Sequence, residues 1–446
     1  MTHLIKSRHG TGNRSVAHPD TAHKAVLDLA DEQLIDAEID AFPTPGPTPV
    51  HGRRGQIILG ASLVLIAFNL RPVFSSLSAV LPEVMRDDGI TPAGASLMTT
   101  LPVLCLGLFA PLAPRLALRF GAERSIIGLL ALLALGTALR GLATVPALLL
   151  GSILAGAGIA AVNVLLPGLV KRDFQPQAAL MTGMYTMALC AGAASAAGFT
   201  VPLQRLFGSW SLALAAWALP VLAVLLLWIP QALVRPAAGR SVGFIVRGLW
   251  RDPLAWQVTL FMGLQSALAY CVFGWLAPIL RERGLSGVNA GLVVSVSVLA
   301  QMAACLTAPS LAVRCKDQRG INVIVVGMAV LGLLGCLFAP LSSVWLWAVL
   351  QGAGQGSLIA VAMTLIVLRS PDAHVAAHLS SMAQTVGYVL AAGGPLMVGL
   401  IHGWTGGFNA TGALFVLIGL GAAAAGLGAG RVRHVRVRLE GPLQRR

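Results

Sequence analysis

The sequence predicts an all-α integral membrane fold with twelve transmembrane helices arranged as two six-helix halves. Three observations carry this expectation. The 446 residues are 56% hydrophobic and only 11% charged, with a mean hydropathy of +0.80, well outside the range of soluble globular chains. Apolar stretches of about 20 residues, long enough to cross a roughly 30 Å hydrocarbon layer as helices, recur twelve times. The chain also repeats itself: APRLALR at 113–119 returns as APSLAVR at 308–314, and the pair Gly156/Gly158 returns as Gly352/Gly354. Lipid offers no water to satisfy backbone groups, so each stretch must be a helix, and the alternating pattern of a barrel strand is absent.

In order, span 1 is expected at 56–81 and span 2 at 93–114, closed by Arg115, Arg119 and Arg124. Spans 3 (125–143) and 4 (145–170) follow, closed by Lys171 and Arg172, and then spans 5 (178–201) and 6 (210–230). Spans 7 (254–280) and 8 (288–313) end at Arg314, Lys316 and Arg319; spans 9 (321–340) and 10 (343–368) end at Arg369. Spans 11 (375–401) and 12 (408–430) lead to a tail with 6 basic residues. Basic residues therefore collect after each even span, 19 on that face against Arg86, Arg140, Arg205, Arg281 and Arg283 on the other. By the positive-inside rule both termini are cytoplasmic, and the net charge of +14 is an orientation signal, not a nucleic-acid footprint.

The domain plan is a cytoplasmic tail at 1–54, a six-helix half at 55–230, a basic cytoplasmic linker at 231–253, a second half at 254–430 and a basic tail at 431–446. The tail lacks the apolar core of a signal peptide and ends in PTPGPTP at 43–49; its acidic stretch from Asp28 to Asp40 could form a short surface helix. Six is an even number, so both copies enter the membrane in the same direction and the repeat axis runs along the membrane normal. That arrangement belongs to the major facilitator type of transporter, whose substrate site lies between the halves near mid-membrane. The six cysteines show no CxxC spacing or Cys/His cluster, so no disulfide framework, metal or cofactor is expected. No HExxH, GxSxG or Asp pair lies in any span and no GxxxxGK[ST] occurs anywhere, which argues against an enzyme and against ATP as the energy source.

All 17 acidic residues fall in the tail or connections, as do 30 of 31 basic ones when Arg140 is counted with the connection after span 3. The exception is Arg71, in LIAFNLRPVFSSLSAVLP. At about 1.5 Å per residue it lies too deep to snorkel, and insertion scales place such a charge at roughly +2.5 to +3.5 kcal/mol. No carboxylate lies at its depth; Glu83, about 18 Å further along, belongs to the rim. Backbone carbonyls, water and a substrate anion remain as partners, and the planar guanidinium fork suits a small oxyanion. A brace for carbonyls freed at Pro72 is the competing role. Asn69, Gln265, Tyr270, Gln355, Gln384 and Tyr388 lie at comparable depth and Asn163 in the cytoplasmic half of span 4, each a candidate cavity contact or an interhelical hydrogen bond.

NLRP at 69–72, NVLLPGLVKRDF at 163–174, MTGMYTMALCAGA at 181–193 and LSSMAQTVGY at 379–388 resemble the cyanate permease and 2-nitroimidazole transporter branch of the major facilitator superfamily. The likeness covers residues 55 to about 430. It implies passage of small molecules, from cyanate-like anions to neutral nitroimidazoles, with Asn69, Arg71, Pro72, Asn163, Pro167 and Lys171 at motif positions. The loop after span 2 departs from the superfamily pattern, with Leu118 where an acidic residue is usual. The expectation is a monomeric secondary transporter in a bacterial inner membrane, moving a small anion or polar compound by alternating access. An exporter of drugs or toxic hydrophobic compounds is the alternative.

Overall fold

Each expected span is a helix in the computed structural model, which describes residues 53–174, 177–234, 245–314, 317–371 and 373–440. The acidic stretch at 28–40 and the PTPGPTP segment lie outside these residues. The twelve spans are Gly55–Asp87, Pro92–Phe109, Ala122–Leu142, Val145–Val170, Leu180–Phe207, Trp210–Leu233, Pro253–Glu282, Gly287–Ala308, Arg319–Phe338, Leu341–Leu368, Val375–Thr405 and Thr411–Ala429. Local chemistry sets their ends. Span 2 opens where the Thr91 side chain accepts from the Gly94 amide and Pro92 takes the first helical position. Span 7 opens the same way, with Asp252 accepting from Leu254 and Ala255 ahead of Pro253. Span 5 stops at Gly208, whose φ of 66° suits glycine.

The packing shows the sequence repeat in three dimensions. In the first half span 1 packs on 5 and 6, span 4 on 2 and 3, and span 3 on 6; in the second half span 7 packs on 11 and 12, span 10 on 8 and 9, and span 9 on 12. The halves meet where span 2 packs on 11 and span 5 on 8, two contacts that exchange under the repeat. The repeated glycines are packing residues. Gly156 lies against Pro102 and Cys105 of span 2 and Gly158 against Leu129 of span 3. Their copies repeat this, Gly352 against Ser297 of span 8 and Gly354 against Ala329 of span 9.

The face where the chain enters span 1 and leaves span 12 is called here the tail face. Contacts between the halves run from the far face to mid-membrane: Gly399 lies on Ser96 and Pro92, Gly291 on Ala197, and a Cβ on Gly107 would sit 2.7 Å from the Thr385 carbonyl. Ser295 Oγ also donates across the halves to the Ala194 carbonyl at 2.7 Å. Three turns closer to the tail face, Gly183 has nothing near it, and Met184 and Met187 of span 5 are 43% and 39% exposed.

Two features depart from the sequence reading. Arg140, expected in a connection facing water, is 0% exposed: a 3-10 turn at Arg140–Leu142 closes span 3 and turns the side chain into the first half. Its Nη1 donates to the Val73 carbonyl at 3.2 Å, while Nε and Nη2 are buried without partners. Among the described residues, Arg71 is thus joined inside the first half by a second arginine. A buried, uncompensated charge costs more than one hydrogen bond returns. Arg140→Met is therefore expected to melt at or above the parent temperature in a detergent thermal-shift assay, and a fall of several degrees would contradict this account.

The second feature is a strand pair, β1 (Ile245–Arg247) with β2 (Arg438–Glu440), antiparallel with Val246 opposite Leu439. It joins the linker to the C-terminal tail, where the Arg436 amide also donates to Asp252 at 2.9 Å. Nearby, buried Arg369 closes the ends of spans 9, 10 and 12 by donating to Gln318, Ala429 and Gly430. Burial pushes its pKa down to about 10, so it remains charged at neutral pH.

Candidate functional site

The site begins with a defect in span 1. The helix runs over Arg53–Asn69, breaks at Leu70 and Arg71, and restarts at Pro72–Asp87. Proline has no N–H, so the Phe68 carbonyl four residues earlier loses its helical donor. Gly192 of span 5 fills that notch, since a Cβ on it would overlap the Phe68 carbonyl oxygen. Arg71 caps the second segment at φ −109°, ψ −25° and lies midway between Gly55 and Asp87. Span 7 is irregular at the matching level, where a π-helical turn at Val272–Leu276 follows Tyr270 and Cys271. Such interruptions inside a membrane bundle persist where they line a polar cavity.

The half-buried Arg71 side chain crosses to the other half. Nη1 donates to the Tyr270 hydroxyl at 3.3 Å, and the guanidinium carbon lies 5.9 Å from the Tyr270 ring centroid and 5.8 Å from that of Phe273. Phe74 flanks Tyr270 at 5.4 Å, and Tyr388 of span 11 meets it edge-on at 6.1 Å. The remaining Arg71 donors are neither buried nor bonded to protein among the described residues. One neutral hydroxyl and two ring faces, worth about 0.5–2 kcal/mol each, do not neutralise a cation at mid-membrane. The free edge of the fork can donate to an anionic or strongly accepting group. A crevice of about 10 Å³, wide enough for one water, separates Phe74, Thr99, Tyr270 and Phe273.

The other expected residues fall into different settings. Gln265 and Gln355 are fully buried and bond to each other: Gln355 Nε2 donates to the Gln265 side-chain oxygen and carbonyl, both at 3.1 Å. Asn69 is buried and donates back to the Leu65 carbonyl at 2.8 Å, leaving its oxygen without a donor. Gln384 is half-buried and donates to Ser380 one turn away, and Asn163 is half-buried in span 4. The structure therefore brings Arg71, Tyr270 and Tyr388 together and uses Gln265 with Gln355 as an interhelical link. Sequence reasoning missed Phe74 and Phe273. Each lies three residues after a candidate, Arg71 and Tyr270, on the same helical face, and that spacing was the available signal.

A family model described as Major Facilitator Superfamily matches residues 58–395, spanning both halves and the site. The chain belongs to the major facilitator superfamily. Within that superfamily it is 40% identical over 385 residues to the 2-nitroimidazole transporter of Escherichia coli, covering 86% of this chain and 98% of the relative. It is 28% identical over 347 residues to the cyanate transport protein of the same organism, covering 78% and 90%. Among solved structures it resembles the nucleoside transporter NupG at TM-score 0.66 and 13% identity, over 83% of this chain and 98% of that one, a likeness of fold alone. This major facilitator protein is a multi-pass bacterial membrane transporter, in keeping with the absence of enzyme motifs from its spans.

Proposed function

We propose that the protein carries a small planar anion, or a neutral compound with strongly accepting oxygens, by alternating access, with Arg71 as its principal contact. The observation that carries this reading is the guanidinium at the midpoint of span 1, without a carboxylate at its level and with donors left free beside an aromatic wall. A cyanate-like ion or a nitro group fits such a fork. Tyr270 and Tyr388 complete the contact set, while Gln265 and Gln355 hold the cavity wall in place. Asn69, Asn163 and Gln384 serve as its polar surroundings.

The halves seal together from the far face to mid-membrane, which supports a state whose site opens toward the tail face. By the positive-inside rule that face is cytoplasmic in a bacterial inner membrane. The protein works as a monomer. Among the described residues every glutamate and aspartate lies near a span end, in a connection or in the C-terminal strand, as Glu83, Glu123, Glu282 and Glu440 do, so no mid-membrane carboxylate is available for a proton relay. Facilitated diffusion or exchange follows.

The test is counterflow in proteoliposomes. Vesicles loaded with unlabelled 2-nitroimidazole or cyanate should transiently accumulate the labelled compound from outside, and protein-free vesicles should not. No counterflow with either compound, or strong accumulation of a non-titrating anion driven by a pH gradient alone, would overturn the substrate class or the coupling respectively.

A further inference from the structure

At the far face, three consecutive residues at the end of span 7 point to three different helices. Arg283 donates to the Cys336 and Ala339 carbonyls at the end of span 9. Glu282 pairs with His402 of span 11 at 2.8 Å. Both contacts fix the end of span 7 within its own half. Arg281, between them in sequence, crosses to the other half: its two terminal nitrogens meet the two Glu83 oxygens at 2.6 Å each, and Nη1 also donates to the Ala79 carbonyl at 3.2 Å. The pair joins two copies of one repeated segment, since LPEVMRDDG at 81–89 is echoed by APILRERG at 277–284.

Beside this ion pair lies a crevice of about 220 Å³ straddling the halves, lined by Glu83, Gln204, Arg205, Arg281 and Gly287 among others. Its polar groups are unevenly satisfied. Arg281 and Glu83 neutralise each other. Arg205 is exposed and makes no hydrogen bond or ion pair among the described residues. The side-chain oxygen of Gln204 is buried and accepts no hydrogen bond. The crevice thus offers one uncompensated cation, a second cation shared with a carboxylate, and an acceptor awaiting a donor. Its volume is several times the roughly 30 Å³ that one water occupies in the liquid.

We propose that this crevice is a second binding site, distinct from the one at Arg71 and reached from the far face, for a small carboxylate-like anion that also carries an O–H or N–H donor. The anion bonds to Arg205 and to the Arg281 fork, and its donor meets Gln204. Occupancy draws Arg281 away from Glu83 and so weakens a bond that holds the halves together on that side. A solute arriving from the far face loosens the closure that excludes it.

The site does not depend on Arg71, so the test uses the full-length chain with Arg71→Ala as background, and its failure leaves the Arg71 reading intact. Glycolate, which has both a carboxylate and a hydroxyl, is titrated by calorimetry beside acetate, which lacks the hydroxyl. Glycolate is expected to bind saturably and more tightly than acetate. Adding Arg205→Ala should weaken glycolate about ten-fold, the loss of one charge-assisted hydrogen bond at a water-accessible site, with Arg205→Lys recovering part of it. Glu83→Gln should tighten it, because Arg281 is released to the ligand. Arg205 is exposed, so its variants should melt near the parent temperature; if the alanine variant does not fold, Arg205→Gln takes its place. Absence of saturable glycolate binding, or binding indifferent to both Arg205→Ala and Glu83→Gln, overturns the proposal.

Discussion

Arg71→Ala is expected to reduce transport by at least about 100-fold while leaving insertion and fold intact. Two charge-assisted hydrogen bonds to an anion are worth roughly 1.5–3 kcal/mol each, and each 1.4 kcal/mol is a factor of ten in affinity. Arg71→Lys keeps the charge but offers a point donor where a planar fork stood, so a loss of about ten-fold is expected. Stability should move in the opposite direction. Without substrate, the cation is held only by the Tyr270 hydroxyl and two ring faces. Removing it relieves up to roughly 2.5–3.5 kcal/mol of burial cost, so the alanine variant should melt no lower than the parent. Proteoliposome uptake and thermal melting, measured on the same preparations, check both signs. Normal uptake by Arg71→Ala would reduce the residue to a brace for the broken helix.

The second large effect is expected at Gly192. The carbonyl that Pro72 frees at Phe68 is covered by the Cα of this glycine, and any side chain there would occupy the oxygen's position. The contact is backbone against backbone, so no flexible side chain can give way and spans 1 and 5 must part. Overpacking of this kind costs about 1–3 kcal/mol for a methyl group and more for larger side chains. Gly192→Ala should lower the melting temperature by several degrees and Gly192→Leu should not accumulate as folded protein. Gly183 in the same helix, with nothing within 4 Å, is the control, and Gly183→Ala should be silent. If the two alanine variants melt together, the notch at Phe68 is not tightly filled.

The spans and their pairing into halves were legible because lipid leaves the backbone few options and because the repeat survives as residues such as Gly156 and Gly352. Arg71 was legible for the same reason, since a charge in the middle of an apolar run has no ordinary explanation. The environment of Arg71 was only half legible. Depth alone nominated Tyr270 and Tyr388 together with Gln265 and Gln355, but depth does not tell which side of a helix faces the cavity. The structure places the glutamines on each other. Arg140 was misjudged because a residue at a span's end can turn inward as readily as outward, and its 3-10 turn has no sequence period. The Glu83–Arg281 pair was hidden in plain view: both residues were placed at the rim, yet their meeting depends on how the halves are juxtaposed. The three-residue strands are too short to show alternation.

Because β1 and the Asp252 contact fasten the end of the linker to the second half, the leash between the halves is shorter than the basic segment suggests. Only residues 235–244 lie between the helix that ends at Val234 and the strand that begins at Ile245. Ten residues can still reach about 35 Å when drawn out. In the alternating-access cycle proposed above, that reach is the ceiling the covalent connection places on separation of the halves at that face, and the noncovalent closures at the opposite end carry the resistance to opening there.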